Sequence, residues 1–224
     1  MTANAPVIFL VDDDASVRKG LTRLLESAGY AVEAFASAPE FLAREPSSGP
    51  CCLVLDVRMP GLTGLELQQA LAEAGRRMSI VFISGHVDVP VSVRAMKGGA
   101  VDLLTKPVDA KDLLQAIERA LAKDVRDRGE EAEAAEIGKR VATLSPRELE
   151  VFAFVVTGML NKQIASELGV VEKTVKVHRA HVMQKMRAGS VAELVRLADR
   201  VGVIVPESRP PPPRILRWPG EAGS

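Results

Sequence analysis

The stretch CCLVLDVRMPGLTGLELQQALAEAG, residues 51–75, decides the fold. Its apolar opening, residues 51–55, has the length and Val/Leu content of a buried strand. The run ends abruptly at Asp56, and apolar residues then return with helical spacing at Leu65, Leu67 and Leu71 before Gly75 closes the pattern. Four further short runs, Val7–Val11, Ala31–Phe35, 79–83 and 101–104, accompany it, and successive run starts lie 24, 20, 28 and 22 residues apart. Between the first two, Val17, Leu21, Leu24, Leu25 and Ala28 repeat the helical spacing up to Gly29. Alternation of strand and helix at this length predicts an α/β domain over residues 1–123: a parallel sheet with helices on both faces and polar sites at the carboxyl ends of its strands.

The residues at those ends are polar. Asp12 and Asp13 follow the first run, Asp56 the third, Ser84 the fourth and Lys106 the fifth. Taken singly, Asp12, Asp13 and Asp14 would pass for an acidic turn and Lys106-Pro107 for a loop boundary. At the ends of these strands they are expected to share one rim, where three carboxylates repel unless a cation bridges them. A hard, oxygen-liganded Mg²⁺ suits that arrangement. Carboxylate, metal, ammonium and hydroxyl together are what an aspartyl-phosphate requires.

The second half differs in kind. Residues 124–142 are strongly polar, with Glu130, Glu131, Glu133 and Glu136, and read as a charged, partly helical linker. Residues 143–206 then show helical patterns only, at 146–157, 161–168, 172–186 and 190–201. The first opens with Ser145, Pro146 and Glu148, an N-cap, a first-turn proline and a capping-box glutamate. Leu149, Phe152 and Val156 form one apolar stripe, Ile164 and Leu168 a second, and Val175, Val182 and Met186 a third. Gly169 supplies the sharp reversal of a helix-turn-helix, and the following helix is expected to expose Lys173, Thr174, Lys176, Val177, Arg179 and Ala180. Cations there can meet phosphates, and Lys176 and Val177 can reach base edges in a major groove. From charge alone a merely solvated basic face remains the alternative. His178 repeats the spacing of Val175 and Val182 and is expected to be partly buried and hydrogen-bonded rather than a metal ligand; His181 is expected at the surface. Residues 207–224, proline-rich and poor in periodic apolar residues, read as a disordered tail.

Composition sets the frame. With 47% hydrophobic and 26% charged residues over 224, the chain reads as a soluble two-domain protein. No apolar run approaches a membrane span, and the acidic break at Asp12 follows the first run too soon for an export signal, so a cytoplasmic location is expected. Residues 1–123 hold 13 basic and 15 acidic side chains and residues 143–206 hold 9 and 6, net charges of −2 and +3. That asymmetry points to the second half for nucleic acid. Cys51 and Cys52, adjacent within an apolar run, read as small buried hydrophobes.

The motifs VDDD at 11–14, LDVRMPGLTGLEL at 55–67, ISGH at 83–86 and LLTKP at 103–107 resemble the receiver domain of two-component response regulators, whose fold is flavodoxin-like (βα)₅. The resemblance implies that Asp56 is the phosphoacceptor. It implies that Asp13, Asp56 and the Arg58 carbonyl bind Mg²⁺ with help from Asp12, and that Ser84 is the switch hydroxyl. Lys106 would contact the phosphoryl group, and the Lys106-Pro107 bond would be cis. Leu103 departs from the family, which often carries Tyr or Phe there, so the aromatic half of the usual switch is in doubt and weaker control is expected. Residues 143–186 resemble the LuxR-type DNA-binding domain, and the two together resemble the FixJ/NarL class, with a recognition helix at about 172–186. Val171 stands where that family usually places a Ser or Thr cap, an omission worth about 1 kcal/mol.

The expected function is that of a phosphorylation-controlled transcription factor. Its partners would be a sensor histidine kinase, double-stranded promoter DNA, a second copy of the chain and RNA polymerase, with no membrane. It would not be an enzyme beyond Mg²⁺-dependent self-phosphorylation and slow autodephosphorylation. An aspartate-nucleophile phosphatase needs a second acid two residues after the nucleophile, where this chain has Arg58. A regulator that uses its receiver for dimerisation alone remains the other reading.

Overall fold

A computed structural model describes residues 5–86 and 88–202. The chain forms two compact units that divide between Arg128 and Gly129.

In the first unit the strands are β1 (Val7–Val11), β2 (Ala31–Phe35), β3 (Cys51–Asp56), β4 (Ser79–Ser84) and β5 (Asp102–Thr105). Between and after them lie α1 (Ala15–Ser27), α2 (Ala38–Leu42), α3 (Gly64–Glu73), α4 (Val89–Lys97) and α5 (Ala110–Ala142). The sheet is wholly parallel with order β2-β1-β3-β4-β5, the flavodoxin-like order, whose direction of winding changes between β1 and β3. β3 and β4 are buried at every position, as continuous apolar runs in a doubly covered parallel sheet should be. Strand alternation sends Phe9, Val11, Leu53, Leu55 and Phe82 to one face, beneath Phe41 of α2, Leu67 and Leu71 of α3 and Ala95 of α4. Ile8, Leu10, Cys52, Val54, Val81 and Ile83 face Leu21 and Leu25 of α1 and Leu113, Ala116, Ile117 and Ala120 of α5 on the other. Cys51 and Cys52 therefore lie on opposite faces; both are buried and free.

The segment 124–142, expected to be only partly helical, is helical throughout as part of α5. At the amino end of β3, Asp124 is buried and accepts the Cys51 N–H at 3.0 Å and Arg128 Nε at 2.6 Å, while Arg128 Nη2 lies 3.3 Å from Cys51 Sγ. These polar residues are thus fixed parts of the first unit, and Ile137, further along the same helix, is buried in the core of the second.

The second unit adds α6 (Pro146–Val156), α7 (Asn161–Leu168), α8 (Glu172–Met186) and α9 (Val191–Arg200). Ser145 caps α6 through the expected reciprocal pair with Glu148, and Gly169, at φ 63°, ends α7 in the left-handed conformation that glycine adopts without strain. The deepest residues of α6 are Val151, Phe152 and Val155 rather than the stripe Leu149, Phe152 and Val156. The run Phe152-Ala153-Phe154-Val155-Val156 is apolar nearly all round, so its spacing does not single out one face. Residues 207–224, which the sequence reads as a disordered tail, lie outside the described residues.

Gly64 opens α3 where the chain folds back onto the end of β3, with its N–H on the Val57 carbonyl at 3.0 Å. A Cβ built on it would sit 2.1 Å from the Asp56 carbonyl oxygen. Helix propensity favours Ala over Gly by about 1 kcal/mol, but the clash is with backbone and decides the sign. Gly64→Ala is expected to lower stability by about 1–3 kcal/mol, read as a lower urea midpoint at unchanged slope.

Candidate functional site

The parallel register builds the acidic rim. Val11 pairs with Leu55, Asp56 with Ile83 and Ser84 with Thr105, so Asp12, Asp56, Ser84 and Lys106 emerge from neighbouring strand ends. Cross-strand bonds from Val57 N–H to the Ile83 carbonyl (3.0 Å) and from Lys106 N–H to the Ser84 carbonyl (2.8 Å) extend the ladder into these loops. The peptide bond after Lys106 is cis.

Lys106 Nζ donates to Asp12 Oδ2 at 2.6 Å and to Asp56 Oδ2 at 2.5 Å. The remaining oxygens are also engaged: Asp12 Oδ1 accepts the Asp14 N–H at 2.8 Å and Asp56 Oδ1 the Arg58 N–H at 3.0 Å. Asp12 and Asp56 are buried, and exposed Asp13 completes a group whose carboxylate oxygens lie within 4.8 Å of one another. Burial pushes the Asp12 carboxyl above its ordinary 3.8 despite the opposing hydrogen bond from Lys106. Burial would lower the Lys106 ammonium, but its bonds to Asp12 and Asp56 prevail and hold it above 10.5. Three carboxylates facing one ammonium leave a formal charge of −2, and an all-oxygen donor set of that charge fits Mg²⁺.

Ser84 is fully buried, and its hydroxyl is occupied within its own turn, donating to the His86 carbonyl at 2.7 Å and accepting the His86 N–H at 3.3 Å. Leu103 is half-buried and packs against the cluster that holds Phe82 of β4 and Ala95 of α4.

On α8, Lys173, Lys176, Val177 and Ala180 are exposed, whereas Thr174 and Arg179 are half-buried. Arg179 Nη1 donates to Asn161 Oδ1 at 2.9 Å, so its guanidinium ties α8 to the start of α7. Lys176 makes only a loose pair with Glu172 at 3.2 Å. Val171 gives α8 no side-chain cap. Sequence reasoning passed over what Glu148 does besides capping: its Oε2 also accepts Lys185 Nζ of α8 at 2.6 Å. The bond from Lys185, with those from Ser145, lowers the Glu148 carboxyl from 4.5 to about 2. His178 is half-buried as expected, but its Nδ1 is buried without a hydrogen-bond partner, contrary to the expected bonded state. His181 is exposed, with Nδ1 3.4 Å from Glu148 Oε1.

The model for the response regulator receiver domain matches residues 8–118, and that for bacterial regulatory proteins of the luxR family matches residues 142–198. The chain is 48% identical to Nodulation protein W of Bradyrhizobium diazoefficiens, over 88% of this chain and 87% of that one. It is 44% identical to the transcriptional regulatory protein FixJ of Azorhizobium caulinodans, over 88% and 93%. Among solved structures, the response regulator StyR superposes with a TM-score of 0.73 at 45% identity, covering 88% of this chain and all of that one. Full-length FixJ from B. japonicum gives 0.52 at 43% identity, over 88% and 98%. The chain belongs to the response regulators that join a receiver domain to a LuxR-type DNA-binding domain.

Because the Glu148 carboxyl titrates lower when folded than unfolded, its contribution to stability is present above pH 4.5 and is lost as pH falls toward about 2. Amide-exchange protection of α6 should decline through that window in the wild type. Glu148→Gln should be less protected at neutral pH and lack that part of the decline.

Proposed function

We propose that Asp56 accepts a phosphoryl group from a sensor histidine kinase and that this event controls binding of α8 to double-stranded promoter DNA. The observation that supports it most is the Lys106 ammonium bonded to both Asp12 and Asp56 beside Asp13. An Asp56 carboxylate oxygen forms the new P–O bond as the P–N bond of a phosphohistidine breaks, and the imidazole leaves with the electron pair and takes up a proton. Asp13, Asp56 and the Arg58 carbonyl are the residues that would hold Mg²⁺, with Asp12 supporting; the ion supplies neutralisation of the phosphoryl oxygens. Lys106 meets the same developing charge by exchanging a carboxylate for a phosphoryl oxygen. The reaction stops at the aspartyl-phosphate and its slow hydrolysis, so the chain acts as a switch and not as an enzyme beyond those two steps.

The phosphoryl group adds acceptors that the pocket's donors must meet. Ser84 can do so only by giving up the His86 carbonyl, which loosens the turn leading to α4 at Asp88. With Leu103 half-buried against the core, the conformational signal runs through Ser84 and α4 without an inward-swinging aromatic, which favours weaker control. We assign the receiver role to residues 1–123 together with the Asp124 and Arg128 anchor of α5, and the DNA-binding role to residues 143–206 together with Ile137 of α5 in their core. A pair of chains would set two recognition helices in successive half-sites, from which RNA polymerase could be contacted, in the cytoplasm. No described helix is long and apolar enough to cross a membrane.

Incubation with acetyl phosphate and Mg²⁺ should add the mass of one phosphoryl group to the wild type and none to Asp56→Asn. No adduct on the wild type would favour a receiver used for dimerisation alone. For the helical unit, Lys176→Ala should relax base preference at one position of the operator, at a cost of about 1–3 kcal/mol on the preferred sequence. Lys173→Ala should weaken all sequences about equally and reduce the slope of log affinity against log salt by about 1. Competition binding at several salt concentrations separates the two.

A further inference from the structure

The helical unit holds a second group of metal-ligating side chains. Glu148 of α6 and His178 and His181 of α8 each offer one ligand atom, and these lie within 4.8 Å of one another. Histidines three residues apart on a helix share a face, and here that face meets the carboxylate of the neighbouring helix. Glu148 is buried with Oε2 committed to the Ser145 N–H and the Lys185 ammonium, which leaves Oε1 as the oxygen beside His181 Nδ1. A half-buried imidazole whose Nδ1 is sealed from solvent without a partner is a cost the fold does not otherwise recover. A cation bound at that nitrogen would remove the cost.

We propose that the Glu148 carboxylate and one ring nitrogen each of His178 and His181 form a three-ligand site for a divalent transition ion of the zinc class. Two imidazoles and a carboxylate hold Zn²⁺ in tetrahedral sites that keep a fourth position for water. The low-titrating Glu148 carboxyl is already ionised, as a ligand must be. Lys185 opposes the ion as a neighbouring positive charge, but it sits on the other carboxylate oxygen and so can stay bonded while Oε1 binds metal. The donors also sort the cations, because Mg²⁺ prefers oxygen and imidazole selects zinc, copper and nickel. A bound ion would fasten α8 directly to α6, and the site stands apart from the phosphorylation reading, which could fail without affecting it.

The full chain carries three histidines, His86, His178 and His181, so ring-nitrogen NMR resolves the question. With Mg²⁺ in excess to occupy the acidic rim, Zn²⁺ titration should shift the ring nitrogens of His178 and His181 together, saturating at one equivalent, while His86 stays in place. His181→Ala changes an exposed helical position and should leave the amide spectrum otherwise intact while weakening zinc binding about 10-fold or more. At free zinc about 100 times Kd, the unfolded population of the wild-type helical unit should fall about 100-fold, with little change in His181→Ala. The proposal is overturned if zinc moves neither ring, moves His181 alone, or binds His181→Ala as tightly as the wild type.

Discussion

The contact on which the rest of the first unit turns is one ammonium shared between two carboxylates. Lys106 arrives from the end of β5, Asp12 from β1 and Asp56 from β3, and only a parallel sheet in this strand order brings those ends to one rim. Burying Asp12 and Asp56 is unfavourable by itself, and the charge of Lys106 is what the fold provides against it. That compensation is incomplete, since the rim keeps an excess of negative charge. On the proposed function, that excess would draw a divalent cation, and the cation and the lysine would together meet the oxygens of an incoming phosphoryl group.

The helical unit uses one side chain in a comparable way. Glu148 closes the first turn of α6, receives Lys185 from α8 and lies against His181, so one carboxylate fixes the start of one helix and the azimuth of another. Arg179 does similar work between α8 and α7. Of the six side chains that sequence spacing would turn outward on α8, two therefore act partly within the domain. Lys173, Lys176, Val177 and Ala180 keep free surface.

Much of this was legible in the residues because local and global signals agree. The five apolar runs coincide with the strands to within a residue, and Ser145, Pro146, Glu148 and Gly169 mark helix ends by mechanisms that act over four residues or fewer. The acidic rim was legible because strand ends in a parallel sheet share an edge whatever their separation in sequence. What escaped depends on contacts no period encodes. Asp124 and Arg128 look like linker charges until the amino end of β3 is placed beside them. The orphaned nitrogen of His178 is set by burial in the folded helical unit, which helical spacing does not encode. The i, i+3 pair of histidines was the one available signal of that cluster, and it is overlooked when spacing treats His178 and His181 separately, one as partly buried and the other as surface.

Consecutive cysteines on opposite faces of the central strand have a chemical consequence. The two thiols are neighbours in sequence and strangers in space, each beneath a different layer of helices, and burial raises both above the range in which thiolate forms readily. A reagent reaches Cys52 only when α1 or α5 parts from the sheet, whereas Cys51 is also covered by Arg128 of α5 at the amino end of β3. The rates at which the two are modified therefore time two different openings of the receiver, one of the layer over Cys52 and one that also frees the α5 anchor at Cys51, with no foreign label introduced.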